Sequence, residues 1–146
     1  MSGVFLFGYD SARALRATAG GPPHATAVYT GKHVEPAGLA IVAQNVFLRA
    51  VGHVFVLDQA VLSSFTKDDG TARHDVLLMI KNPAIVEEIR EAFRMLYPER
   101  IDKFYMGEPH VTAATCASRA EAEAALIEMR AHLPMLFTVS GVYIDS

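Results

Sequence analysis

Apolar side chains alternate along Gly3 to Tyr9, with Phe5, Phe7 and Tyr9 on one side and Val4 and Leu6 on the other, the period-two pattern of a β-strand. Ser11 to Thr18 reads as a short helix closed by Gly20-Gly21-Pro22-Pro23, a strong breaker. A strand from His24 to Thr30 follows and stops at Gly31. From Pro36, which suits a first helical turn, Leu39, Ala43, Val46, Phe47 and Ala50 recur at helical spacing. That segment is apolar nearly all round, which predicts a buried helix. Phe55 to Phe65 reads as one or two strands, and Lys67-Asp68-Asp69-Gly70 as a turn.

The same order then recurs. His74 to Ile80 is a strand, and Asn82-Pro83 opens a helix with Asn82 as its cap and Val86, Ile89, Phe93 and Leu96 on one stripe, ending before Pro98. Lys103 to Thr115 delivers another strand. Ser118 and Glu121 have capping-box spacing and open a helix that turns Ala122, Ala125, Leu126 and Met129 inward; Pro134 ends it, and Met135 to Ile144 is a last strand. Strand, helix, strand, helix, strand thus occurs twice, which predicts an α+β chain of two similar halves.

Each half carries the same short motif. Pro23-His24-Ala25-Thr26-Ala27 and Pro109-His110-Val111-Thr112-Ala113 differ only at the central position. A proline at a strand's first position followed by small or β-favouring residues opens a strand in both copies. Residues two apart on a strand share a face, so His24 stands beside Thr26 and His110 beside Thr112, about 7 Å apart along each strand. Ala25, Ala27, Val111 and Ala113 point into packing. One such motif means little; a five-residue match with one conservative difference, repeated at a separation of more than half the chain, indicates related halves. An imidazole and a hydroxyl from each half suit a phosphate held between them.

On these residues the chain resembles the 2H phosphoesterase superfamily, named for two His-x-Thr/Ser motifs. That superfamily includes the LigT-like RNA 2′,3′-cyclic phosphodiesterases, 2′,5′-phosphodiesterases of some viruses and mammals, and phage enzymes that degrade cyclic-oligonucleotide alarm signals. The two motifs carry the resemblance; the strands Gly3 to Tyr9 and Phe137 to Ile144 add weak support. It implies a bilobal fold in which two pseudo-symmetric βαβαβ halves, roughly residues 1–66 and 72–146 with exchange of strands allowed, set antiparallel sheets across a central cleft. It further implies catalysis by His24, Thr26, His110 and Thr112 without a metal or other cofactor, the two histidines exchanging roles with reaction direction.

Composition narrows the setting. The chain has 146 residues, which fits one domain able to bury a proper core. Its formal net charge of −3, without a run of Lys or Arg, argues against a tight grip on long duplex nucleic acid, whereas a small nucleotide or an RNA end remains compatible. A single cysteine, Cys116, precludes an internal disulfide and points to a reducing, cytoplasmic setting. No apolar run reaches the length of a membrane span, and Met1 to Asp10 lacks the basic start of a signal peptide. A monomer or small homo-oligomer is expected.

Cleaving a phosphodiester requires one group to take a proton from the nucleophile and another to protonate the leaving oxygen. Imidazoles, which titrate near pH 6.5 in model peptides, serve both needs at neutral pH. Threonine hydroxyls can donate to the non-bridging oxygens where charge gathers. Tyr9, Phe104, Tyr105 and Tyr143 are candidates for stacking a base, each equally readable as a core or edge aromatic; strand alternation sets Tyr29 on the face opposite His24. Lys67, Arg73 and Lys103 could assist with phosphate charge or simply be solvated. His33, His53, His74 and His132 lack a partnered threonine and read as structural or exposed, and Cys116 as a buried reduced thiol. A binding module that captures RNA ends or nucleotides without turnover is the alternative, and paired acid and base groups argue against it.

Overall fold

Each run of alternating apolar residues becomes a strand because one side of it enters a shared core. In a computed structural model describing residues 2–18, 21–31, 44, 49–96 and 107–145, the chain is an α+β protein. Its strands are β1 (Ser2–Asp10), β2 (His24–Gly31), β3 (Val54–Thr66), β4 (Ala72–Ile80), β5 (His110–Cys116) and β6 (Met135–Asp145). All pair antiparallel and close into one barrel in the order β1-β2-β5-β4-β3-β6. Helix α1 (Ala84–Leu96) joins β4 to β5 and packs on β2; helix α2 (Arg119–Ala131) joins β5 to β6 and packs on β3, β4 and β5. Among the described residues no helix is long and apolar enough to cross a membrane.

One face of every strand feeds the core. Val4 and Leu6 of β1, Ala25 of β2, Phe55 and Leu57 of β3, Val76 and Leu78 of β4, Val111 of β5, and Phe137 and Val139 of β6 join Ile85, Val86, Ile89 and Phe93 of α1 and Met129 of α2 in a single cluster. At about 1.5–3 kcal/mol for each large side chain removed from water, this cluster outweighs any surface ion pair in the molecule. The order closes between β2 and β5 through the single pair Ala25↔Val111. Gly8 is required where β1 crosses β6, since a Cβ there would strike the carbonyl oxygen of Thr138.

The hairpin between β3 and β4 turns at Lys67 to Gly70 as the pattern predicts, with Gly70 at φ +85° supplying the left-handed residue. Ser118 caps α2, its hydroxyl accepting from the Glu121 backbone N–H at 3.2 Å. Most of the helix expected from Pro36 lies outside the described residues, although Ala50 at its end is fully buried.

Two local expectations are corrected. Ser11 to Thr18 is an irregular loop, because the buried Asp10 carboxylate accepts from the Ala14 and Leu15 N–H groups at 2.9 and 3.2 Å and so takes donors a helix would direct to its own carbonyls. Asn82 does not cap α1. Its side chain reaches across to β3, accepting from Val56 N–H at 2.7 Å and donating to the Val54 carbonyl at 3.0 Å, so it ties the start of that strand to the approach to the helix.

Candidate functional site

The two motif strands are neighbours in the barrel, joined through the pair Ala25↔Val111. Both residues are completely buried. Continuing this antiparallel register by one residue sets His24 opposite Thr112 and Thr26 opposite His110, on the face away from the core. Opposed residues of such a pair bring their Cβ atoms within about 5 Å, and diagonal ones, such as the two histidines, within about 7–8 Å. Two rings at that separation can contact opposite sides of one phosphate. All four side chains are half-buried, so none of them is sealed from solvent.

The repetition extends to atomic detail. His24 Nδ1 lies 2.8 Å from the carbonyl oxygen of Pro22, and His110 Nδ1 lies 2.8 Å from that of Glu108. A carbonyl only accepts, so Nδ1 carries the proton in both rings, and Nε2 of each neutral ring is left as the base. Pro23 O accepts from Gly8 N–H at 3.2 Å, and Pro109 O accepts from Ile80 N–H at 3.1 Å, anchoring each motif to the strand outside it. The register of β1 on β2 slips at Ala27, since Phe5 faces Thr26 while Val4 faces Val28; that of β4 on β5 slips at Ala113, since Leu77 faces Thr112 while Val76 faces Ala114. The last alanine of each motif is therefore the extra residue of a β-bulge, a device that re-aims neighbouring side chains. Among the described residues neither motif threonine hydroxyl nor either Nε2 makes a hydrogen bond. The reactive atoms of the four motif side chains are thus free among the described residues.

The surroundings of the two histidines differ. Phe7 is the cross-strand partner of His24 and Phe5 that of Thr26, and their rings lie 5.5 and 5.6 Å from the imidazole of His24, the second edge-on. Tyr143 meets Phe7 at 5.7 Å and is half exposed, which brings one expected aromatic to the site. The corresponding partners of His110 and Thr112 are the aliphatic Met79 and Leu77. Pattern reading had Phe5 and Phe7 on one strand face but had no means of pairing that face with His24.

Tyr9 stands on β1 beyond Phe7 and is exposed, on a cavity that also borders Pro23. Phe104, Tyr105, Lys103 and His33 lie outside the described residues. The Tyr29 side chain, expected opposite His24, is likewise outside the description. Arg73 is held in the hairpin by Asp75 at 2.9 Å and lies over the Phe65 ring, and Lys67 sits in the turn of that hairpin. His53 packs edge-on against Phe55, His74 bonds to Ser64, and His132 ends α2. Burial, with Glu121 and Asp75 nearby, pushes the Cys116 thiol above its ordinary range.

Arg90 on α1 was not anticipated as a contributor. It is buried, and its Nε donates to the Ala27 carbonyl at 2.8 Å, so the bulged end of the first motif is gripped from behind by a charged side chain. Among the described residues no group of three or more His, Cys, Asp or Glu side chains converges as a metal site does. Comparison with protein-family models, with curated proteins and with solved structures finds no match to the chain.

Proposed function

We propose that the chain is a 2H-type phosphodiesterase that cleaves a small nucleotide phosphodiester with His24 and His110 as acid and base. The observation that carries this reading is the duplicated imidazole arrangement: each ring is fixed through Nδ1 to the carbonyl two residues upstream and leaves Nε2 free on either side of the Ala25–Val111 pair. A phosphate between them meets two nitrogens that differ only by a proton. The neutral ring takes the proton of the attacking hydroxyl or water, the charged ring gives its proton to the leaving oxygen, and Thr26 and Thr112 donate to the non-bridging oxygens. The chemistry needs no cofactor.

The strand order supports a two-half description, with β6-β1-β2 around the first motif and β5-β4-β3 around the second. The aromatic wall of Phe5, Phe7 and Tyr143 supports a nucleobase on the His24 side. Candidate substrates are a 2′,3′-cyclic phosphate end, a 2′,5′-linked oligonucleotide and a cyclic oligonucleotide signal; the lone cysteine fits work in a cytoplasmic compartment.

The test is incubation with cyclic dinucleotides, cyclic trinucleotides, 2′,3′-cyclic mononucleotides and 2′,5′-oligoadenylate in excess chelator, with chromatography of the products. At least one should be cleaved, and His24→Ala and His110→Ala should each lower the rate by roughly 10²–10⁴-fold with unchanged thermal melting. Turnover indifferent to both substitutions removes the assignment. Binding without product indicates the non-catalytic module instead.

A further inference from the structure

Beyond Phe7, β1 continues through Gly8 and Tyr9 to Asp10, and the chain turns into the loop that occupies the place of the expected first helix. Between this loop and the start of β2 lies a cavity of about 420 Å³ whose wall includes Tyr9, Arg13, Arg16 and Pro23. Pro23 is the first residue of the motif, so the cavity begins one residue, about 3.8 Å of backbone, from His24.

The loop is built firmly for an exposed segment. The Asp10 carboxylate binds the Ala14 and Leu15 N–H groups, Arg13 N–H donates to the Asp10 carbonyl at 3.2 Å, and the Arg16 guanidinium donates to the Arg13 carbonyl at 2.9 Å. Arg13 has φ +51°, the one positive value at a non-glycine residue among those described. A side chain is disfavoured there, and glycine would adopt the conformation at lower cost.

The two arginines are both exposed, and among the described residues neither is paired with a carboxylate. Asp10 shares the cavity wall, but both its oxygens are occupied by backbone donors. Glu128 shares a second hollow with Arg13 and Arg16 and, among the described residues, forms no ion pair with them. In a chain of net charge −3, two unneutralised guanidinium groups beside an exposed tyrosine, next to the motif, make a local site for an anion carrying a base. Guanidinium groups bind phosphate oxygens in a fork that lysine cannot reproduce.

We propose that this cavity is a second phosphate site, in which Arg13 and Arg16 hold the phosphate next to the scissile one and Tyr9 flanks the intervening base. The inference rests on the phosphodiesterase reading for what lies between the motifs, and it narrows the substrate to an oligonucleotide, linear or cyclic, rather than a mononucleotide.

The experiment measures binding, which needs no turnover. In a His110→Ala parent, the affinities for the linear 3′,5′-linked trinucleotide ApApA and for 2′,3′-cyclic AMP are compared before and after adding Arg13→Ala and Arg16→Ala together. ApApA should bind roughly tenfold more weakly and cyclic AMP unchanged. A further variant, Arg13→Gly, should lose ApApA affinity while melting no lower than its parent. ApApA affinity unaffected by the double substitution, equal weakening of both ligands, or full affinity in Arg13→Gly would each overturn the second site. Should the unmodified protein cleave nothing in the substrate panel, the phosphodiesterase reading alone falls, because the affinity comparison still reports on the arginines.

Discussion

Ala27 and Ala113 occupy equivalent places: each is the final residue of a Pro-His-x-Thr-Ala motif, and each is the extra residue of a bulge that follows the motif threonine. Both are buried. An alanine is small enough to double up with its neighbour on the core side, whereas a leucine must displace close-packed atoms. Ala27→Leu or Ala113→Leu is expected to cost about 1–3 kcal/mol in urea denaturation and to lower turnover further than that loss of folded protein explains, since the adjoining threonine is re-aimed. A variant with full activity and full stability would show that the bulges do not govern the site.

Thr26 and Thr112 should separate binding from chemistry. Thr→Val at either position keeps the shape of the side chain and removes the donor, so kcat should fall by roughly 10–10³-fold with KM and thermal melting little changed. Thr→Ser should recover most of the rate. Steady-state kinetics on whichever substrate the panel identifies checks this, and an equal loss in the serine variants would point to packing in place of hydrogen bonding.

The acid and base roles require one imidazole neutral and one charged at the same moment. The rate should therefore pass through a maximum with pH and fall on both sides. A profile that is flat between about pH 5 and 9 is incompatible with paired imidazoles.

Arg90 Nε stands 2.8 Å from the Ala27 carbonyl while its side chain is nearly inaccessible to water. Replacing it by methionine keeps the apolar stem but strips a buried carbonyl of its partner, which should destabilise the fold by about 1–3 kcal/mol. Chemical denaturation measures this. Because the contact falls on the bulge, Arg90→Met should also lower activity in conditions where the variant remains folded.

The Cys116 thiol is raised by burial first and then by the Glu121 and Asp75 carboxylates. A higher value leaves less thiolate at any pH below it, so alkylation by iodoacetamide at pH 8 should be slower than for a free cysteine peptide. The rate should keep rising with pH above the ordinary thiol range. Rapid labelling at neutral pH would contradict that environment.

Much of the fold was legible along the chain because its signals are local. Alternation over Gly3 to Tyr9, the Lys67 to Gly70 turn and the Ser118 cap depend on residues within a few positions of one another, and each is found as expected. The errors arose where a polar side chain had two possible partners. Asp10 binds the N–H groups of its own loop, and Asn82 binds a strand more than twenty residues away; propensity cannot weigh those choices because each is decided by what folds against the side chain. Phe5 and Phe7 were visible as a strand face, but their contact with His24 exists only through pairing of β1 with β2.

The sequence by itself determined that two His-x-Thr units stand at the head of two strands, since repetition and period-two alternation need no tertiary information. Tertiary structure alone decided that the two strands are neighbours meeting at Ala25 and Val111, that both rings are turned by the same backbone carbonyl bond, that a bulge follows each threonine, and that one side is aromatic and the other aliphatic. Each of those depends on residues distant along the chain, brought together when the barrel closes around its core, and no local pattern encodes which strand becomes whose neighbour.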